Sequence, residues 1–150
     1  MSFVRLVGRW GLAGKAAREM PIAKEQAFRL AGAELTNVRT ACDGIRADGK
    51  IVFMGWQDNF RKNGTQYECL LWQANSPAVD RIGASQRWRN ISGLVASGES
   101  ALLLVAIAAD TAAETREVND VLDAIYTVSV EERGGDYYAI AHRRDRLVQF

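Results

Sequence analysis

The chain has 150 residues, 48% of them hydrophobic and 25% charged, with a formal net charge of +1 and two cysteines, Cys42 and Cys69. That length fits one domain able to bury about 68–70% of its unfolded surface without staples. The charge excludes a histone-like polycation, and no window approaches the ~18 uninterrupted apolar residues of a membrane span.

Residues 1–19 carry Arg5, Arg9, Lys15 and Arg18 and no acid before Glu19. Arg5, Gly8 and Arg9 break their apolar stretch, which argues against a secretory signal. We therefore read 1–19 as an N-terminal extension, with Met20 as an alternative start, and 20–150 as a single α+β domain. Ala27, Phe28, Leu30 and Ala31 suit a short amphipathic helix over 23–31, stopped by Gly32. Residues 35–38 and 41–45 read as short strands, and Asp48-Gly49 as a hairpin turn into a central strand.

The stretch Ile51 to Trp72 reads as a second hairpin. Asn63-Gly64 supplies the positive-φ pair of a type I′ turn, and pairing outward from Lys62 and Thr65 sets Phe60 opposite Tyr67, Asp58 opposite Cys69 and Trp56 opposite Leu71. All three pairs then share one face with Val52 and Met54, while Trp72 faces away, opposite Gly55. Asn75-Ser76-Pro77 breaks the sheet. Ser85 caps a helix in which Trp88, Ile91, Leu94 and Val95 recur at helical spacing, ended by Ser97-Gly98. Ala101 to Ala109 is a buried strand, 110–119 a crossover loop, and 121–132 with 137–143 a last hairpin around Arg133-Gly134-Gly135-Asp136. The sum is a mixed, mainly antiparallel twisted sheet or partly open barrel with two main helices.

Catalytic and cofactor signals are sparse. One histidine, His142, and no CxxC pair argue against structural zinc. His142 lies in the basic run HRRDR and reads as a surface residue rather than a triad base. Glu68 is followed two residues later by Leu70, not by the lysine of a metal-dependent nuclease core. No GxxxxGK[ST] or GxGxxG loop supports a nucleotide cofactor. No metal or other cofactor is expected, and Glu131-Glu132 read as solvated turn charges. Cysteines this sparse without a cleavable signal suit a reducing cytoplasm, with both thiols as small core residues.

The aromatic residues Trp56, Phe60, Tyr67, Trp72, Trp88, Tyr126, Tyr137 and Tyr138 are explained in the first instance as core and hairpin packing. Trp56 with Asp58 is different, because a flat ring beside a carboxylate acceptor is the equipment that reads a splayed-out base by stacking and by hydrogen bonds. Tyr67 would wall such a pocket, and Arg39, Arg61, Arg81, Arg87 and Arg89 would contact phosphate. Charge is uneven, with nine cations against five acids in residues 1–50, five against four in 51–100 and five against nine in 101–150. Contacts to DNA or RNA would therefore be local and salt-sensitive.

Gly32-Ala33, Asn37, Arg39, Val52, Trp56 and Asp58, followed by Ala108, Asp110 and Arg116, give the chain a pattern that resembles small bacterial proteins found alone or joined to HNH nuclease domains, over about residues 22–142. Those relatives carry a Trp shortly after Asn-x-Arg, where this chain has Thr40-Ala41-Cys42. The resemblance implies a PUA-like domain, the class that includes readers of modified bases in restriction systems. The leading expectation is a non-catalytic nucleic-acid-binding module, reading a modified or flipped base in a defence or mobile-element setting. The alternatives are a protein–protein interaction or homodimerisation module that binds no nucleic acid, and a small hydrolase using Asp58.

Overall fold

The computed structural model describes residues 22–35, 43–74, 84–112 and 118–150. In chain order these form helix α1 (Lys24–Leu30), strands β1 (Ala33–Glu34), β2 (Asp43–Arg46), β3 (Ile51–Trp56), β4 (Phe60–Asn63) and β5 (Gln66–Trp72), helix α2 (Ala84–Ser97), and strands β6 (Ala101–Ala108), β7 (Val118–Arg133) and β8 (Asp136–Asp145). The eight strands make one open sheet in the order β1-β2-β3-β6-β7-β8-β5-β4. Only β3 with β6 is parallel, and every other pairing is antiparallel. The expected α+β class, mixed and mainly antiparallel sheet and two helices are therefore present. No helix among the described residues is long and apolar enough to cross a membrane.

The uninterrupted apolar run of β6 reflects burial on both faces. Leu103 and Val105 enter a core shared with Ile91 and Leu94 of α2. Leu102, Leu104 and Ala106 enter a second core with Ala27 and Phe28 of α1. Both expected helix stops occur, Gly32 accepting φ +86 after α1 and Gly98 donating to the Leu94 carbonyl at 2.8 Å. Helix α2 already includes Ala84, so Ser85 sits in its first turn rather than at a cap.

The last hairpin forms as expected, with Gly134 and Gly135 both at positive φ, as a type I′ turn requires. The hairpin before it differs in two ways. First, the pairs are Phe60–Cys69, Lys62–Tyr67 and Asn63–Gln66, so the loop is Gly64-Thr65. Gly64 takes φ +68 while no described non-glycine residue has positive φ, which is the φ pattern of a type II′ turn. The register has moved by two residues, so every partner changes while each strand keeps its facing.

Second, a 3₁₀ turn at Gln57–Asn59 splits the long strand expected over 51–60. Three residues out of extended geometry invert the alternation. Val52, Met54 and Trp56 belong to the α1-side core, whereas Phe60 joins Phe53 in the α2-side core.

This turn also carries the chain from β3, third in the sheet, to β4 at its far edge. The sheet consequently curls until β3 and β5 approach each other without pairing. Gly55 permits this approach, because a Cβ there would lie 2.5 Å from Cys69 Sγ. It is thus Cys69, and not the Trp72 ring, that covers Gly55.

Arg87 of α2 spans the same seam. Its Nε donates to Asp43 Oδ1 of β2 at 3.0 Å, Nη2 to the Met54 carbonyl of β3 at 2.9 Å and Nη1 to the Leu71 carbonyl of β5 at 3.1 Å. A planar fork of donors suits this task, since it reaches one carboxylate and two carbonyls in different directions. Asn90 Nδ2 adds a 3.2 Å bond to Asp43 Oδ2.

Candidate nucleic-acid interface

The inverted phase at Gln57–Asn59 separates the residues expected to form a base pocket. Trp56 is half-buried against the α1-side core. Tyr67 packs against the α2-side core, its ring 6.1 Å from that of Phe60, which in turn stands 4.9 Å from Tyr126. Asp58 is exposed in the 3₁₀ turn. Trp56 and Tyr67 therefore do not line one sheet face.

The expected phosphate contacts also divide. Arg87 is only 14% exposed, with its donors committed to the seam, and functions as a structural group. Arg89 and Lys62 are exposed. Arg39 and Arg81 lie outside the described residues, as do the extension 1–19, Asn37, Cys42, the break at 75–77 and Arg116. Arg61 is 62% exposed and belongs to a charged cluster built on Glu68.

That cluster lies on the outer face of β4, β5, β8 and β7, opposite the α2-side core. Period-two alternation sends Cys69 and Leu71 inward and Glu68 and Leu70 outward along β5. Pairing then aligns Glu68 with Arg61 of β4 and with Ile140 of β8, and Tyr138 with Leu70 and with Glu131 of β7. Glu68 is 1% exposed, yet its carboxylate is well satisfied. Arg61 Nε lies 3.0 Å from Oε2, Arg133 Nη1 2.8 Å from Oε1, and Asn63 Nδ2 3.2 Å from Oε1.

Burial pushes the Glu68 carboxyl upward, but the bonds from Arg133, Asn63 and Arg61 outweigh it and hold the group below its ordinary value. Arg133 is raised by its bonds to Glu131 and Glu68, the Glu131 contact being 2.7 Å. Both guanidinium groups also reach the Tyr138 ring, Arg61 at 5.6 Å and Arg133 at 4.8 Å from its centroid, which is cation–π range. Arg61, Glu68, Arg133 and Tyr138 belong to neither hydrophobic core.

Other groups read from the sequence have structural places. Burial pushes the Cys69 thiol up to about 12, so the thiolate needed for nucleophilic chemistry is suppressed. Burial likewise raises the Tyr126 hydroxyl to about 12. His142 is exposed as expected, its Nε2 2.7 Å from Ser129 Oγ. Glu131 and Glu132 are exposed beside the turn. Among the described residues no group of three or more His, Cys, Asp or Glu is arranged to hold a metal ion. A shallow cavity of about 260 Å³ is lined by Arg143, Asp145, Arg146, Gln149 and Phe150, at the end of the chain rather than on the Glu68 face.

Sequence reasoning listed Tyr138 only among packing aromatics, weighed Glu68 only as a nuclease acid and read Arg133 only as a turn residue. Part of the signal was readable, since the Gly134-Gly135 turn alone fixes Tyr138 opposite Glu131. The approach of Arg61 required knowing that β5 pairs with β8, a contact between segments some 70 residues apart.

The fold and this face define a small α+β domain with an arginine- and tyrosine-bearing sheet surface. The chain matches no family model, no curated protein and no solved structure.

Proposed function

We propose that the protein is a non-catalytic nucleic-acid-binding module whose interface is the outer face of β4, β5, β8 and β7. The observation that supports this most directly is the half-buried Tyr138 ring with the Arg61 and Arg133 guanidinium groups within 5.6 and 4.8 Å of its centroid, outside both hydrophobic cores. An aromatic ring offers any base a stacking surface, and guanidinium groups beside it meet the backbone. In this reading the ring that stacks is Tyr138 rather than Trp56, and Arg61 keeps the phosphate role given to it by its position. A PUA-like relationship and the reading of a modified base in a restriction setting rest on the sequence resemblance.

The test is binding of short single- and double-stranded DNA and RNA, with and without modified cytosine or adenine, at two salt concentrations. Preference for a modified strand supports the finer reading. Equal binding of modified and plain strands retains the module and removes the modification.

Trp88 supports a second reading, as a protein-interaction module. It is 39% exposed while its ring lies 5.2 Å from Trp72 and 5.3 Å from Tyr137, and rigid aromatic clusters of this type anchor protein interfaces. The sheet edges favour it less. β1 has two residues, and β4 has four, carrying Arg61 and Lys62, a short charged edge of the kind that resists strand addition.

A further inference from the structure

We propose that Arg61 and Arg133 form a clamp for a single phosphate group, and that Glu68 is the positioning residue that sets their separation. The proposal rests on the nucleic-acid reading for its biological ligand but on local geometry for its chemistry. The two guanidinium groups bind different oxygens of one buried carboxylate, Arg61 at Oε2 and Arg133 at Oε1, so they are held side by side. Asn63 at Oε1 and Glu131 at Arg133 Nε fix the frame from the two flanking strands.

Each arginine is held by only part of its fork. Arg61 uses Nε, which leaves Nη1 and Nη2 without a hydrogen bond among the described residues, and Arg133 uses Nε and Nη1, which leaves Nη2. Those remaining donors suit an anion with several acceptor oxygens, which a phosphate provides. Arg61, Arg133 and Glu68 together carry one net positive charge, and Glu131 beside them limits the attraction further. Recognition must therefore come from donor geometry more than from field strength. A carboxylate below and a phosphate outside would repel if both faced the same donors, but Glu68 occupies inner donors and leaves outer ones.

A clamp for one phosphate next to one ring fits a single strand, in which a phosphodiester and an unstacked base are both within reach. A terminal phosphate monoester has the same chemistry. The experiment titrates the full chain with inorganic phosphate, with oligothymidine and with 5′-phosphorylated oligothymidine, following arginine side-chain and backbone NMR shifts. Arg61→Ala, Arg61→Lys and Glu68→Gln are compared with the parent, and melting curves check that each is folded.

Shifts centred on Arg61 and Arg133, and an affinity lowered about tenfold by Arg61→Ala and only partly restored by lysine, are expected. Glu68→Gln raises the local positive charge, yet it should weaken phosphate binding if Glu68 positions the pair. A gain in affinity would overturn that role. A stronger response to the 5′-phosphorylated strand identifies the monoester as the ligand, and equal responses identify the diester. Oligonucleotide binding indifferent to Arg61→Ala overturns the clamp and leaves the module standing. Phosphate binding dependent on Arg61 without oligonucleotide binding retains the clamp and removes the nucleic-acid reading, and no response to any probe removes both.

Discussion

Arg87→Ala tests the claim that one guanidinium closes the seam of the curled sheet. The substitution removes the partner of Asp43, whose side chain is 3% exposed, and leaves it with the 3.2 Å bond from Asn90. It also takes the Nη2 and Nη1 bonds from the Met54 and Leu71 carbonyls on two strands that do not pair with each other. Removing one member of a buried ion pair costs about 3–5 kcal/mol, because the other charge is left without compensation. Against a typical total stability of about 5–15 kcal/mol, this is a large fraction. At about 2–4 °C per kcal/mol for a chain of this size, melting should fall by roughly 10 °C.

Urea denaturation is the direct assay, with the midpoint read at constant m. Lysine should rescue poorly, since a point charge cannot reach three acceptors. Arg87→Met combined with Asp43→Leu should recover most of the loss, because no buried charge is then unpaired. A loss below about 1 kcal/mol for Arg87→Ala, about a third of the lower cost expected for a broken buried pair, would refute the seam argument.

Gly55→Ala should destabilise by about 1–3 kcal/mol through overpacking, since the added Cβ would meet Cys69 Sγ at 2.5 Å and Leu103 Cδ1 at 3.3 Å. Adding Cys69→Ala should relieve part of this, and independent effects in a double-mutant cycle of denaturation curves would contradict the contact. Cys69, with its thiol pushed up to about 12 by burial, should resist alkylation at pH 8 in the native state and react once denatured, as peptide mapping by mass spectrometry would reveal. Glu68 has a folded carboxyl held below its ordinary value near 4.5. Its contribution to stability is present above that value and is lost as pH falls through the lower, folded one. The acid limb of the stability profile should accordingly flatten in Glu68→Gln, and an unchanged limb would show that Glu68 is not the group titrating.

Elements with local causes were legible in the sequence. The α1 stop at Gly32, the Gly134-Gly135 turn and the doubly buried β6 each follow from residues within one element or its immediate flank. The candidate pocket failed for an equally physical reason. Gln57–Asn59 carries no proline or glycine to announce a break, yet the chain must leave β3 there to reach the far edge of the sheet. Placing Trp56, Asp58 and Phe60 on one face assumed an unbroken alternation, so the turn moved Phe60 to the other core. Gly64 presented a similar ambiguity, because a single glycine serves either a type I′ turn as its second residue or a type II′ turn as its first. Asn63-Gly64 favours the type I′ reading, whereas the pairing of Phe60 with Cys69 sets the loop at Gly64-Thr65 instead.

The role of Arg87 shows the same limit. Its charge and exposed-helix setting in the sequence suggest phosphate, but its acceptors lie on β2, β3 and β5, and only the curled sheet brings them together. Glu68 was weighed only against a nuclease motif, because a lone acid in a strand carries no other signal. Its importance comes from neighbours on β4 and β7.

The central claim, that the outer sheet face binds nucleic acid, is tested most directly by measuring oligothymidine affinity of the parent chain and of Tyr138→Ala across a salt series. Loss of one stacking ring should cost about 1–3 kcal/mol, a factor of roughly 5 to 150. With the Arg61–Arg133 clamp neutralising one phosphate the slope of log K against log salt should be about −0.7, and Tyr138→Ala should leave that slope unchanged. No binding by the parent at 50 mM salt, or equal affinity of a folded Tyr138→Ala, would contradict the account.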